Sequence, residues 1–119
     1  MQDSELARLA FLDVAQRKWL RGVRRVVVEG RSMEPALRPG DTVTALWRWR
    51  PLRPGDLVVV RDPREATRWL IKRCQLVPDR RVELRGDNAD ESTDSRHFGP
   101  LRRRDVRWLV LSSSSPKSQ

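Results

Sequence analysis

From Val23 onward, apolar and polar residues alternate over short runs separated by glycine and proline: VRRVVVE, TVTALW, DLVVV, RWLIKRCQLV, RVELR and DVRWLVL. A period of two is the signature of strands with one face toward a core, so the pattern predicts a mainly β domain over residues 23–111. The preceding segment, 1–22, has a different period. Leu6, Leu9, Ala10 and Val14, joined by Phe11, recur at helical spacing after Asp3 or Ser4, either of which can cap. This predicts one N-terminal amphipathic helix over 3–21 that stops at Gly22. The ending SSSSPKSQ, residues 112–119, has nothing to bury and is expected to be a disordered Ser-rich tail.

The tetrapeptide RPGD occurs twice, at Arg38 to Asp41 and Arg53 to Asp56, each time just ahead of a strand. Proline presets the first φ of a type II turn and glycine accepts the positive second one, so both copies are expected to turn the chain into a strand. With 119 residues, 38% of them hydrophobic, there is material for one core and one compact domain.

The formal net charge of +9 suits an anionic partner but does not bear on fold. Its densest clusters, Arg24 with Arg25, Arg80 with Arg81, and Arg102 to Arg104, each flank a strand and read as solvated edges, not as a nucleic-acid stripe. One cysteine, Cys74, excludes an internal disulfide, and with one histidine it leaves no metal-ligand spacing, so neither a metal nor a cofactor is expected. There is no apolar run long enough to span a bilayer and no N-terminal signal pattern, so the chain reads as soluble and cytoplasmic. Arg17, Lys18 and Arg21 in the last turn of the expected helix suit its dipole and also allow peripheral contact of residues 3–21 with anionic lipid.

Three stretches could carry chemistry. In WLIKRCQL, Lys72 interrupts an apolar run in a chain that writes nearly every other cation as arginine. Strand parity puts Leu70, Cys74 and Leu76 on its side, where burial would penalise the ammonium and favour a neutral amine, a form arginine cannot reach. In EGRSMEPALRPGD, Ser32 stands between Gly30 and Pro35 on a tight turn. It either caps a helical turn or presents an exposed hydroxyl. In GDNADESTDSRHFG, Asp, Asn and Ser are dense enough to bond their own backbone. The carboxylates miss the calcium-loop spacing, and Arg96 near Asp94 suggests an internal ion pair. His97 could serve a serine nucleophile or simply be solvated.

SMEP at Ser32 to Pro35, GD at Gly40 and Asp41, KR at Lys72 and Arg73, and GDNxxxSxDSRxxG at Gly86 to Gly99 together resemble the signal peptidase I family of serine proteases, over about Glu29 to Leu101. The resemblance implies a β-rich catalytic core of the signal-peptidase and LexA kind, with Ser32 as nucleophile, Lys72 as general base and Ser92 orienting the lysine amine. Asp94 with Arg96, and Asp87 with Arg73, would be bracing pairs, and His97 would have no catalytic part. Gly30 stands where some family members place an oxyanion-hole serine. The substrate would lie as an extended strand between Val26 to Gly30 and Trp69 to Ile71, touching Met33, Trp69, Leu70 and Ile71. The implied activity is removal of an N-terminal leader from a precursor protein. Lack of an anchor and the short Lys72-to-Gly86 spacing make the chain similar to the small maturation proteases of nickel superoxide dismutase, which is therefore the candidate precursor.

Two other readings remain. A LexA-type autoprotease would share the Ser/Lys chemistry, although it lacks the GDNxxxSxDSR box and residues 1–22 leave no room for a helix-turn-helix domain. A catalytically inert basic module could instead bind nucleic acid or anionic membrane through its arginines, with binding lost steeply as salt rises.

Overall fold

The computed structural model describes residues 22–116, and the helix expected over 3–21 lies outside the described residues. Strands β1 (Val23–Val27), β2 (Thr42–Trp47), β3 (Leu57–Asp62), β4 (Glu65–Val77), β5 (Arg81–Arg85), β6 (Leu101–Arg102) and β7 (Trp108–Ser114) form one antiparallel sheet in the order β1-β2-β7-β3-β4-β5-β6. The expected mainly β architecture is the observed one.

Both RPGD copies close as expected. Asp41 N donates to the Arg38 carbonyl at 3.0 Å and Asp56 N to the Arg53 carbonyl at 3.1 Å, with φ of 93° at Gly40 and 89° at Gly55. Each aspartate also closes its turn from the side chain, accepting from Arg38 N at 2.9 Å and Arg53 N at 2.7 Å.

Strand alternation divides the apolar residues between the two faces of the sheet. On one face Val58, Val60, Leu70, Cys74, Val82, Leu84 and Leu109 pack with Leu52 and Val106. On the other, Val28, Met33, Leu37 and Val43 pack with Val26, Leu57, Ile71 and Val110. The register confirms the partition: Val58 lies opposite Lys72 and Val60 opposite Leu70, whereas Val59 lies opposite Ile71.

Three features depart from the sequence pattern. β4 starts at Glu65, four residues before Trp69: Glu65 pairs with Asp62 across the hairpin turn, the register then shifts so that Arg61 meets Trp69, and the side chains of EATR are exposed. The two-residue strand β6 carries too short a pattern to be read. The tail expected from Ser112 is instead strand through Ser114, with Ser112, Ser113 and Ser114 opposite Thr44, Val43 and Thr42. Backbone pairing, not burial, holds this end, since the three serines are exposed. Arg24 is a further correction to the expected solvated edges. It shares strand parity with Val26 and Val28, lies half-buried, and places its guanidinium 4.9 Å from the Trp69 ring centroid and 4.8 Å from that of Trp108.

Candidate active site

Lys72 lies near the middle of β4, on the same face as Leu70 and Cys74, and is only 2% exposed. Burial is the main cause that lowers its pKa from the ordinary lysine value. The Asp94 carboxylate works against the lowering, while Arg68 and Arg96 add to it. Its Nζ donates to Ser92 Oγ at 3.1 Å, and Ser92 Oγ in turn donates to Asp94 Oδ2 at 2.7 Å. The Ser92 proton is thus committed to Asp94, which leaves an oxygen lone pair to hold the amine.

Asp94 is fully buried and anchors the loop after β5. Its carboxylate accepts from Gly86 N at 2.8 Å, from Arg96 N at 3.0 Å and from Arg96 Nε at 2.9 Å, and it is ion-paired with Arg96 Nη2. Burial alone would push this carboxyl up, but hydrogen bonds from Arg96, Gly86 and Ser92 hold it well below the usual carboxylate range. Asp94 also caps the single helical turn α1 (Ser95–Phe98). His97 belongs to that cap: its Nδ1 accepts from Asp94 N at 3.3 Å, and its side chain is about half exposed.

Ser32 opens the turn between β1 and β2. Glu34 N is spent on the Arg31 carbonyl at 3.1 Å and Pro35 has no N–H, so the two donors a capping serine would use are not available to it. Residues 32–36 form turns and not a helix. The backbone of this turn is fixed from the other loop: Asn88 N donates to the Ser32 carbonyl at 2.8 Å and Asn88 Nδ2 to the Arg31 carbonyl at 3.1 Å.

Gly86 makes that junction possible. A Cβ there would run into the Ser92 side chain and lie 2.7 Å from the Ser32 carbonyl oxygen, so only glycine fits between the two serines. Neither Gly86 nor Asn88 was singled out as a site residue from the sequence. Their signal was present only as the first and third letters of GDN.

Arg73 faces away from Lys72 on the opposite side of the strand. Its Nε and Nη2 each donate to Asp87 at 2.9 Å, and Nη1 donates to the Gly55 carbonyl at 2.9 Å. It therefore ties the second RPGD turn to the start of the loop that carries Ser92.

Ser32 and Lys72 open onto one cleft of about 590 Å³. One wall is the segment from Arg25 to Met33, which includes Gly30 at φ 72°; the other is β4 from Glu65 to Lys72, including Trp69, Leu70 and Ile71. β1 pairs only with β2, and β4 pairs with β5 only from Arg73 to Val77. Both walls thus present strand edges unpaired by other described residues, between which an extended peptide could lie. Among the described residues no cluster of histidine, cysteine and carboxylate could hold a metal, and no helix is long and apolar enough to cross a membrane.

Residues 14–87 match the family model described as signal peptidase, peptidase S26. Mitochondrial ATP-independent inner membrane protease subunit 1a of Arabidopsis thaliana is 36% identical over 100 residues, covering 62% of this chain and 60% of that protein. Mitochondrial inner membrane protease subunit 2 of Schizosaccharomyces pombe is 31% identical over 98 residues, covering 62% and 54%. Subunit 1 of the same protease from Xenopus tropicalis is 32% identical over 99 residues, covering 64% and 59%. The chain thus spans less than two thirds of the length of each of these relatives. With more than half of its residues inside the family match, the chain belongs to the signal peptidase, peptidase S26 family.

Proposed function

We propose that the chain is a serine endopeptidase that removes an N-terminal leader from a precursor protein, with Ser32 as nucleophile and Lys72 as general base. The observation that carries this reading is the buried Lys72 amine, held by Ser92 and opening with Ser32 onto one strand-edged cleft. In this scheme the neutral amine takes the Ser32 Oγ proton as the oxygen attacks a peptide carbonyl. The C–N bond then breaks, the leaving amine takes the proton from Lys72, a water deprotonated by Lys72 attacks the acyl ester, and Lys72 returns that proton to Ser32 Oγ as the ester bond breaks. The Ser32 N–H supplies one oxyanion donor. Asp94, Arg96, Asp87, Arg73 and Gly86 brace the geometry without touching substrate, and Gly30, Met33, Trp69, Leu70 and Ile71 line the strand the leader would occupy. The catalytic unit is residues 23–111 extended by the last three residues of β7.

The substrate follows from chemistry only as far as an extended segment. The relatives are named as subunits of an inner membrane protease, which favours a membrane-associated precursor. In that setting residues 3–21 could make the peripheral lipid contact expected of them. Nickel superoxide dismutase, the candidate raised by the chain's small size, has no residue of the cleft that points to it.

Ser32→Ala and Lys72→Met should each abolish cleavage of precursors while the fold is retained by circular dichroism, and His97→Ala should stay active. Activity should rise with pH as Lys72 loses its proton and then level off. Incubation with membrane-associated precursors and with a nickel superoxide dismutase precursor, followed by mass measurement, names the substrate. A mass change in the chain itself would point to self-cleavage of the LexA kind. Full turnover by the Ser32→Ala variant would end the Ser/Lys reading.

A further inference from the structure

Arg24 is a cation on the inward face of β1, where its parity companions Val26 and Val28 belong to the apolar packing. It reaches away from its own strand and hydrogen-bonded neighbour. Its guanidinium lies 4.9 Å from the ring centroid of Trp69 on β4 and 4.8 Å from that of Trp108 on β7. Trp69 is flanked again by Arg61, 4.4 Å from the same centroid, and Trp108 packs edge-on against Trp47 at 5.3 Å. The result is a ladder of alternating guanidinium and indole that crosses from β1 to β4, two strands with no backbone pairing between them.

Trp69 and Arg25, the residue after Arg24, both line the cleft, so the ladder joins its two walls at this end. A strand inserted between two edges can hydrogen-bond to both only if they stand about twice the inter-strand spacing apart, roughly 9.6 Å. Nothing in the sheet ladder sets that distance between β1 and the free half of β4. Cation–π contacts with Trp are the strongest of their class and gain when they are shielded from water, as they are at this half-buried position.

We propose that Arg24 is a positioning residue that clasps β1 to Trp69 and Trp108, and so fixes the gap into which the substrate strand enters. This rests on the peptidase reading. Arg24 touches no reacting atom, so it acts on substrate binding and leaves proton transfer at Lys72 alone.

The test uses the full chain and a ten-residue extended peptide with alanine on either side of its central bond. Arg24→Ala should raise KM by about tenfold, with kcat and the pH profile of kcat unchanged. Arg24→Lys, which keeps a cation over the indoles, should recover most of that loss. Hydrogen exchange of the backbone amides at 25–28 and 65–71 should quicken in Arg24→Ala and stay near wild type in Arg24→Lys. An unchanged KM in Arg24→Ala, or a fall in kcat with KM unaltered, overturns the clasp. If the wild-type chain cleaves no such peptide, the peptidase reading is what fails. Hydrogen exchange then decides the clasp alone: unaltered exchange in Arg24→Ala refutes it, and quickened exchange confined to the two walls supports it.

Discussion

Lys72 is kept in an apolar strand face at a cost in stability, and that cost has a definite sign. Its folded pKa lies below the unfolded value of about 10.4, so between the two the unfolded chain binds more protons and stability rises with pH. At neutral pH the burial penalty is in force. Lys72→Met should therefore melt higher than wild type at pH 7, with the gain shrinking as pH approaches 10; a lower melting temperature at pH 7 would show that the Ser92 hydrogen bond outweighs burial. Gly86 is the other residue whose chemistry is set by space. Gly86→Ala must displace either the Ser92 side chain or the Ser32 carbonyl, an overpacking worth about 1–3 kcal/mol. Both movements disturb the proposed dyad, so kcat should fall together with the melting temperature. Lys72 was legible in the sequence as a lysine among arginines, and Ser32 only through the resemblance that SMEP carries, since between glycine and proline it also reads as a cap. Gly86 was not, because a glycine that opens a polar loop looks the same whether or not two serines press on it. Arg24 could have been read from parity with Val26 and Val28, but adjacency to Arg25 hid its inward direction.

At the level of elements, alternation and Pro-Gly turns located six of the seven strands. Register, which alternation cannot give, had to come from pairing. The missed parts have two causes: β6 is too short to show alternation although Leu101 packs against the core, and elsewhere exposed side chains carry no apolar signal. The exposed start of β4 and the serines that end β7 are both of this kind. Because Ser112, Ser113 and Ser114 pair with β2, the strand that follows the Ser32 turn, deleting residues 112–119 should lower the melting temperature and quicken amide exchange at Thr42 to Thr44. Unchanged exchange there would mean that the serines add nothing to the sheet.

Across the whole molecule, the cleft is assembled from three distant parts of the chain: the turn after β1, the middle of β4 and the loop after β5. Asp94 links two of them, because its carboxylate holds Gly86 at the end of β5 and, through Ser92, the Lys72 amine. Its folded pKa is depressed, so the stability it contributes is present above the unfolded carboxylate value of about 3.9 and is lost as pH falls below it. Asp94→Asn should lower the melting temperature by weakening the cap and removing one of the acceptors that Gly86 N, Ser92 and Arg96 share, and it should remove this acid-side slope. An equal acid slope in the variant would assign the acid lability to other carboxylates. The GDNxxxSxDSR box announced this loop, whereas the distance it spans to reach Ser32 and Lys72 is a property of the folded sheet alone.

The opposed directions of Lys72 and Arg73 carry one more consequence. Sliding β4 by a single residue would turn the guanidinium of Arg73 into the apolar face, pull it off Asp87 and Gly55, and point the amine outward. Guanidinium cannot shed its charge to escape that burial. The misaligned sheet is therefore poorly stable, and any molecule that reaches the folded state arrives with its amine facing the right way.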